Sequence, residues 1–345
     1  MSIGVAIIGS GIFAQTEHLP AVQATPLLSL KAIYSRSLSS AQSLNVDVPL
    51  YSDDSGVGKT YHDLLLRSDI HAVIIALPIL VQPEYIEAAL AAGKHVLSEK
   101  PIAGDLERAQ RLLEYYKSDK VKDGTTWSVA ENFRFLDSFI HARKEIEKLG
   151  RVLGFRMQSF GNVKQGSKYY ETEWRKKPDY QGGFLLDGGV HFTAAGRLLL
   201  GGAARPTSVV AFSTLLREHL PPVDTINSVW LTNSGVSGTF SVSFGTTLSG
   251  PEYTVACEDG SVTVIRSKVI VRKGEENEKN FTEVEFTEEG SGVKQEVAAW
   301  AQSIVDKKPD TRQSPEEALA DLEILEKLLR SGEEQGKSQN LQFQI

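Results

Sequence analysis

The 345-residue chain carries 37 Lys and Arg against 44 Asp and Glu, a formal net charge of −7, with 41% hydrophobic and 23% charged residues. One core rarely grows past roughly 250–300 residues, so this length asks for about two domains. The composition excludes wholesale disorder, and the mild acidity argues against general nucleic-acid binding, which needs a basic face.

Ile3 to Ile8 is a continuous apolar run of the kind that forms a buried strand, followed by a glycine turn and a helical stretch through Ala14, Leu19 and Val22. Leu30 to Tyr34 reads as a second strand, Tyr61 to Leu66 as a helix and His71 to Leu77 as a third strand. A helix from Pro83 to Ala92 is closed by Gly93, ahead of a fourth strand, His95 to Ser98, and a helix from Leu106 to Tyr116. Apolar strands alternating with helices predict a doubly wound parallel sheet covered on both faces. After Trp127-Ser128-Val129 and a helix over Asp137 to Leu149 the pattern changes. Strands are expected over Val152–Phe160, Thr207–Thr214, Ser228–Leu231, Ser237–Phe244, Tyr253–Cys257, Ser261–Ile265, Lys268–Arg272 and Thr282–Phe286. Such a run predicts a mostly antiparallel sheet. One helix, Phe184 to Leu200, interrupts it, and two more, Val293–Val305 and Pro315–Leu329, close the chain. The charged stretch Lys273 to Lys279 reads as a solvated hairpin tip. The expected fold class is α/β, with a dinucleotide-binding domain over residues 1–128 and an α+β substrate-binding and oligomerisation domain, built on an open-faced sheet, over residues 129–345.

Cys257 is the only cysteine, which excludes an intrachain disulfide and a cysteine-built metal site. The first residues, Met1-Ser2-Ile3-Gly4, lack the basic start of a signal peptide, and no apolar run approaches the roughly 20 residues that span a bilayer. The expectation is a cytoplasmic protein with neither membrane nor nucleic-acid partner.

Gly9-Ser10-Gly11-Ile12-Phe13-Ala14 follows the first strand and opens the first helix, a G-x-G-x-x-A turn in the place where a dinucleotide fold wants it. Its backbone, through Gly9, Gly11, Ile12 and Phe13, would meet the pyrophosphate at the positive end of that helix. The second strand ends in Tyr34-Ser35-Arg36-Ser37. With no acid at these positions, Ser35, Arg36 and Ser37 suit a 2′-phosphate and favour NADP(H) over NAD(H). Gly56-Val57-Gly58-Lys59-Thr60 resembles half of a P-loop, but Asp53 stands where the first glycine belongs, so this is read as a surface loop. Lys100 falls at the carboxyl end of the fourth strand, where ligands bind in open α/β sheets, and Pro101 after it permits a cis bond.

Glu99-Lys100-Pro101 after Ala92-Gly93-Lys94-His95-Val96 resembles the signature of the glucose–fructose oxidoreductase, inositol dehydrogenase and rhizopine-catabolism family of NAD(P)-dependent oxidoreductases. Trp174-Arg175, then Gly182-Gly183-Phe184-Leu185-Leu186-Asp187-Gly188-Gly189-Val190-His191, resembles that family's G-G-x-x-x-D-x-x-x-H helix, and Ala130-Glu131-Asn132-Phe133-Arg134 its domain-crossover segment. The wording of several segments is most similar to a fungal cytosolic, NADP-using branch. The resemblance implies Lys100, Asp187 and His191 as catalytic residues. It implies Glu99, Lys100, Asn132, Arg134 and the loop Leu77-Pro78 as cofactor contacts, and Tyr169, Trp174 and Arg175 as candidate substrate contacts, with packing or domain-bracing an equal alternative for Trp174-Arg175. In the family the loop often reads Thr-Pro-Asn, with a histidine starting the next helix; here Leu77-Pro78-Ile79 and Gln82 stand instead, which makes it more apolar.

These roles make chemical sense. Asp187 and His191 are four apart, so a helix sets both on one face. An imidazole can exchange a proton with a carbinol or carbonyl oxygen near neutrality, and a lysine can stabilise charge on that oxygen. The expected activity is hydride transfer between a nicotinamide and a CH–OH or carbonyl carbon of a sugar, polyol or related small carbonyl compound. A non-catalytic NADP sensor of the same fold and an NAD-dependent glycosidase are the alternatives; no metal is expected. Phe240, Val242 and Phe244 alternate with Thr239, Ser241 and Ser243, and a homodimer through the second-domain sheet is a further expectation from the family.

Overall fold

Strands apolar on both faces build the sheet of the first of two units into which the chain divides, Met1–Asn132 with Val293–Ala318; the second is Phe133–Gly292 with Leu319–Ile345. The computed structural model describes residues 2–274 and 280–345. In the first unit, β1 (Ile3–Ile8), β2 (Leu28–Ser35), β3 (Leu50–Ser52), β4 (Ala72–Ile75), β5 (His95–Glu99) and β6 (Trp127–Ala130) form one sheet in the order β3-β2-β1-β4-β5-β6. Every pairing is parallel. Val5, Ile7, Val73, Ile74, Val96 and Leu97 have no exposed surface, as a sheet covered on both faces requires. The connections are α1 (Leu19–Ala24), continuing a π-helical turn over Ala14–His18, then α2 (Leu38–Gln42), α3 (Tyr61–Leu65), α4 (Gln82–Ala91) and α5 (Leu106–Tyr116). Their starts are locally specified: Thr60 and Asp63 close a reciprocal capping box on α3, and the Asp105 carboxylate accepts the Arg108 N–H at the head of α5.

Two features depart from the sequence pattern. β3 is too short to be expected as a strand, and it joins the edge by pairing Tyr51 with Tyr34 and Ser52 with Ser35. The expected second domain, 129–345, includes the helix α9 (Val293–Asp306), yet α9 belongs to the first unit. Val293, Val297, Trp300 and Ala301 make one apolar stripe, buried in a cluster with Leu19, Ala21 and Val22 of α1. A helix goes where its stripe is buried, whatever its place in the chain.

In the second unit, β7 (Val152–Asn162), β8 (Pro206–Thr214), β9 (Thr225–Thr232), β10 (Ser237–Ser243), β11 (Gly245–Cys257), β12 (Gly260–Ile265), β13 (Lys268–Lys273), β14 (Phe281–Glu285) and β15 (Gln339–Asn340) form a nine-stranded sheet, ordered β14-β13-β12-β11-β7-β10-β9-β8-β15. All pairs are antiparallel except β7 with β10. The helix α6 (Asp137–Lys148) packs on β12 and β13, and α8 (Gly183–Leu200) on β7, β10 and β11. A single turn, α7 (Glu173–Lys176), precedes α8, and α10 (Pro315–Glu333) carries the chain into its last segment. Phe240 and Val242 are buried, whereas Phe212, Val229 and Leu231, on the opposite face, are exposed. β13 and β14 form the expected hairpin, of which residues 275–279 lie outside the described residues. No helix among the described residues is long and apolar enough to cross a membrane.

Candidate active site

The glycine turn at the end of β1 is shaped for close approach. Gly9 has φ +115°, and a Cβ there would overlap the Ala76 carbonyl oxygen, so only glycine fits. At Gly11 a Cβ would meet nothing within 4 Å, which leaves room for a phosphate beside the backbone. Ile12 and Phe13 start the helical segment that runs on into α1, with its first N–H groups at the turn.

At the end of β2, Ser35 is buried with its hydroxyl 2.7 Å from that of Ser10, and Ser37 caps α2 by accepting the Ser40 N–H. The two hydroxyls expected to flank a phosphate therefore have partners within the protein. Arg36 between them is exposed, with no hydrogen-bond or ion-pair partner among the described residues. The β2–β3 pairing also brings two acids that a scan of positions 35–37 cannot detect. Asp53 accepts the Tyr34 hydroxyl at 2.6 Å. Asp54 accepts the Leu38 N–H at 2.7 Å and the Ser52 hydroxyl at 2.6 Å, and the Ser52 hydroxyl with that N–H holds its carboxyl below the usual range. Tyr34, Tyr61 and Tyr85 pack together here, and burial pushes the Tyr34 phenol far above its ordinary value, with Asp53 adding to the effect.

Past β4, Leu77 and Pro78 lead into α4, whose first residue, Gln82, is buried with Oε1 lacking a hydrogen-bond partner among the described residues. Lys100 directly follows β5, and its bond to Pro101 is cis. Glu99, expected to touch the cofactor, has one carboxylate oxygen 2.6 Å from His18 Nε2 and the other accepting the Lys100 N–H at 3.2 Å. His18 belongs to none of the motifs singled out above. Asn132 is buried at the last position of the unit's first segment.

In the second unit, the Arg134 guanidinium donates to both oxygens of Asp321 at 2.7 Å and is almost wholly buried. Arg197, on α8, donates to the same carboxylate at 2.7 Å. The helix α8 begins at Gly182-Gly183, both at positive φ, and a Cβ on Gly183 would overlap the Pro221 carbonyl oxygen. Asp187 and His191 follow one turn apart. Asp187 Oδ2 accepts Arg175 Nε at 2.7 Å, and the Arg175 guanidinium lies 4.0 Å from the Trp174 ring centroid and 5.6 Å from that of Tyr169. Burial raises the Tyr180 phenol well above its ordinary value, with the Asp187 charge adding to it. The His191 ring stacks on Phe133, centroids 4.8 Å apart and planes 18° from parallel. Tyr169, Trp174 and Arg175 thus form one assembly on Asp187, a link that no spacing rule predicts across the intervening loop. Lys176 pairs with Glu171 at 2.6 Å, and Lys177 is exposed.

The first unit thus carries a glycine turn on a parallel sheet and a lysine at a strand end, and the second an Asp–His pair on a glycine-rich helix. Residues 3–124 match the family model described as an oxidoreductase family, NAD-binding Rossmann fold, and residues 143–339 match its C-terminal alpha/beta domain. The chain belongs to the glucose–fructose oxidoreductase, inositol dehydrogenase and rhizopine-catabolism family of NAD(P)-binding sugar and polyol oxidoreductases. It is 43% identical over 351 residues to Dehydrogenase FPY6 of Fusarium mangiferae, covering 99% of this chain and 100% of that one. An oxidoreductase from Thermotoga maritima superposes with TM-score 0.85 at 29% identity, covering 99% and 98% of the two chains. Levoglucosan dehydrogenase, solved with NADH, gives 0.83 at 19% identity, covering 99% and 100%, a likeness of fold alone.

Proposed function

We propose that the chain is an NADP(H)-dependent oxidoreductase acting on a carbinol or carbonyl carbon of a sugar, polyol or related small carbonyl compound, with Lys100 and His191 handling the oxygen and its proton. The observation that carries this reading is the one-turn pair on α8, Asp187 held by Arg175 and His191 backed by Phe133. In the reducing direction His191 delivers a proton to the carbonyl oxygen as hydride reaches carbon, and oxidation retraces the same path. Lys100 donates a hydrogen bond to that oxygen, and Asp187, clamped by Arg175, orients the substrate or the imidazole. The nicotinamide, when bound, supplies or takes up the hydride.

Gly9, Gly11, Ile12 and Phe13 would hold the pyrophosphate, Leu77, Pro78 and Asn132 would line the rest, and Arg36 would receive a 2′-phosphate. The exposed guanidinium of Arg36, unpaired among the described residues, supports NADP(H), and Asp53 and Asp54 are occupied by Tyr34, Leu38 and Ser52. The sugar or polyol class rests on the family, and the name of levoglucosan dehydrogenase is in keeping with it. The exposed Phe212, Val229 and Leu231 support a homodimer through the open face of the sheet, which sedimentation showing only monomer at micromolar concentration would remove.

Fluorescence titration with NADPH and NADH in parallel, followed by a panel of sugars, aldehydes and ketones, tests the reading. NADPH should bind more tightly than NADH, and Arg36→Ala should erase the difference. Lys100→Met and His191→Ala should each cut turnover by roughly 10²–10⁴-fold while largely sparing cofactor binding. A clear NADH preference overturns the cofactor assignment; wild-type rates in both variants overturn the mechanism.

A further inference from the structure

His18 has no exposed surface, and it closes the π-helical turn Ala14–His18 that follows the glycine turn. Its Nε2 lies 2.6 Å from Glu99 Oε1, and since a carboxylate accepts, Nε2 carries the proton and donates it. Its Nδ1 is buried with no hydrogen-bond partner among the described residues. An apolar side chain would fill this place without stranding a nitrogen, so the single bond to Glu99 is what a histidine adds here. The other Glu99 oxygen accepts the Lys100 backbone N–H at 3.2 Å. One residue earlier, the Ser98 hydroxyl accepts Trp127 Nε1–H at 3.0 Å, so the end of β5 is anchored up to Glu99. Phe13 meets the His18 ring edge-on, centroids 5.3 Å apart, which joins the same histidine to the residue at the head of the glycine-turn helix.

We propose that His18 and Glu99 are positioning residues. His18 fixes the Glu99 carboxylate, the carboxylate fixes the backbone at Lys100, and the direction of the lysine is thereby tied to the helix that follows the cofactor turn. The functional half rests on the role given to Lys100 above; the geometric half does not.

The test uses the full chain with His18→Leu, Glu99→Gln, their combination, and His18→Gln, whose amide can still donate to Glu99. One readout is hydrogen exchange in the peptide containing Lys100; the other is steady-state kinetics with the best substrate of the panel. His18→Leu and Glu99→Gln should each speed exchange in that peptide and lower kcat roughly 10- to 100-fold, the scale of an ångström-sized misplacement, with KM and NADPH affinity nearly unchanged. The double variant should lose no more than the worse single, and His18→Gln should recover most of the rate. Unchanged exchange overturns the geometric half; unchanged kcat, multiplicative losses or no rescue by glutamine overturns the positioning role. Should His18→Leu fail to fold, Glu99→Gln and His18→Gln decide on the same readouts. A wild type that turns over nothing in the panel sinks the functional reading, and the exchange data still decide whether the pair holds the Lys100 backbone.

Discussion

Replacing Asp321 by asparagine should be among the most destabilising single changes in the second unit. Its side chain is 1% exposed, and those of Arg134 and Arg197 are 4% and 6% exposed. All three donor–acceptor distances are 2.7 Å. Asparagine keeps the shape but removes the negative charge and turns an N–H towards one guanidinium. Removing one member of such a buried set costs about 3–5 kcal/mol, because the charges left behind are buried and uncompensated. At roughly 2–4 °C per kcal/mol for a unit of this size, the melting temperature should fall by roughly 6–20 °C. Urea unfolding followed by tryptophan fluorescence reads the effect, with Trp230 at 0% exposure reporting on the same unit. Replacing all three charged residues together by Met and Leu should cost less than Asp321→Asn alone, since no charge then remains to be paired. A loss below about 1 kcal/mol for Asp321→Asn, the value of a solvated surface pair, would refute the reasoning.

Two further changes probe the same packing. Gly188→Ala puts a Cβ 2.6 Å from Phe244 Cζ and should cost about 1–3 kcal/mol in urea unfolding, with Phe244→Leu restoring part of it. Cys257 is buried, and burial pushes its thiol up to about 11, so the reactive thiolate is scarce in the folded chain and grows only as pH rises towards that value. Alkylation of the native protein should therefore climb with a midpoint about two pH units above that of the urea-unfolded chain, and coincident profiles would refute it.

The elements were legible because their signals are local. Ile3–Ile8 and Leu106–Tyr116 match their expected bounds, since an apolar run and an amphipathic stripe are properties of neighbouring residues. What escaped is carried by long-range pairing. Asp53 and Asp54, which contact Tyr34 and Leu38, directly follow β3, which reaches the end of β2 only through the sheet. The His18–Glu99 bond spans 81 positions, and the Arg134–Asp321 pair spans 187. Asp187 and Arg175 are 12 apart, across a loop whose course no periodicity dictates. Motif matching names Lys100, Asp187, His191, Arg134 and Glu99, but a motif records which residue is present and not what its side chain faces, which is Asp321 for Arg134 and His18 for Glu99.

The glycines of α8 show how such local and distant constraints combine. A glycine inside a helix costs about 1 kcal/mol relative to alanine, so a helix carrying several is stable only through its contacts. Gly188 lies against Phe244, Gly189 against Leu325 and Gly196 against Met157, where an added Cβ would stand 2.6, 3.3 and 2.9 Å from the neighbouring atom. The helix axis is therefore pressed onto the sheet and α10 more closely than any larger residue permits. Asp187 and His191 ride on that axis, so their positions follow from the packing of the unit, with Arg197 and Asp321 locking its last turns. A lost contact at Gly188 or Asp321 should consequently appear in kcat as well as in stability, even though neither residue is assigned any part in the chemistry.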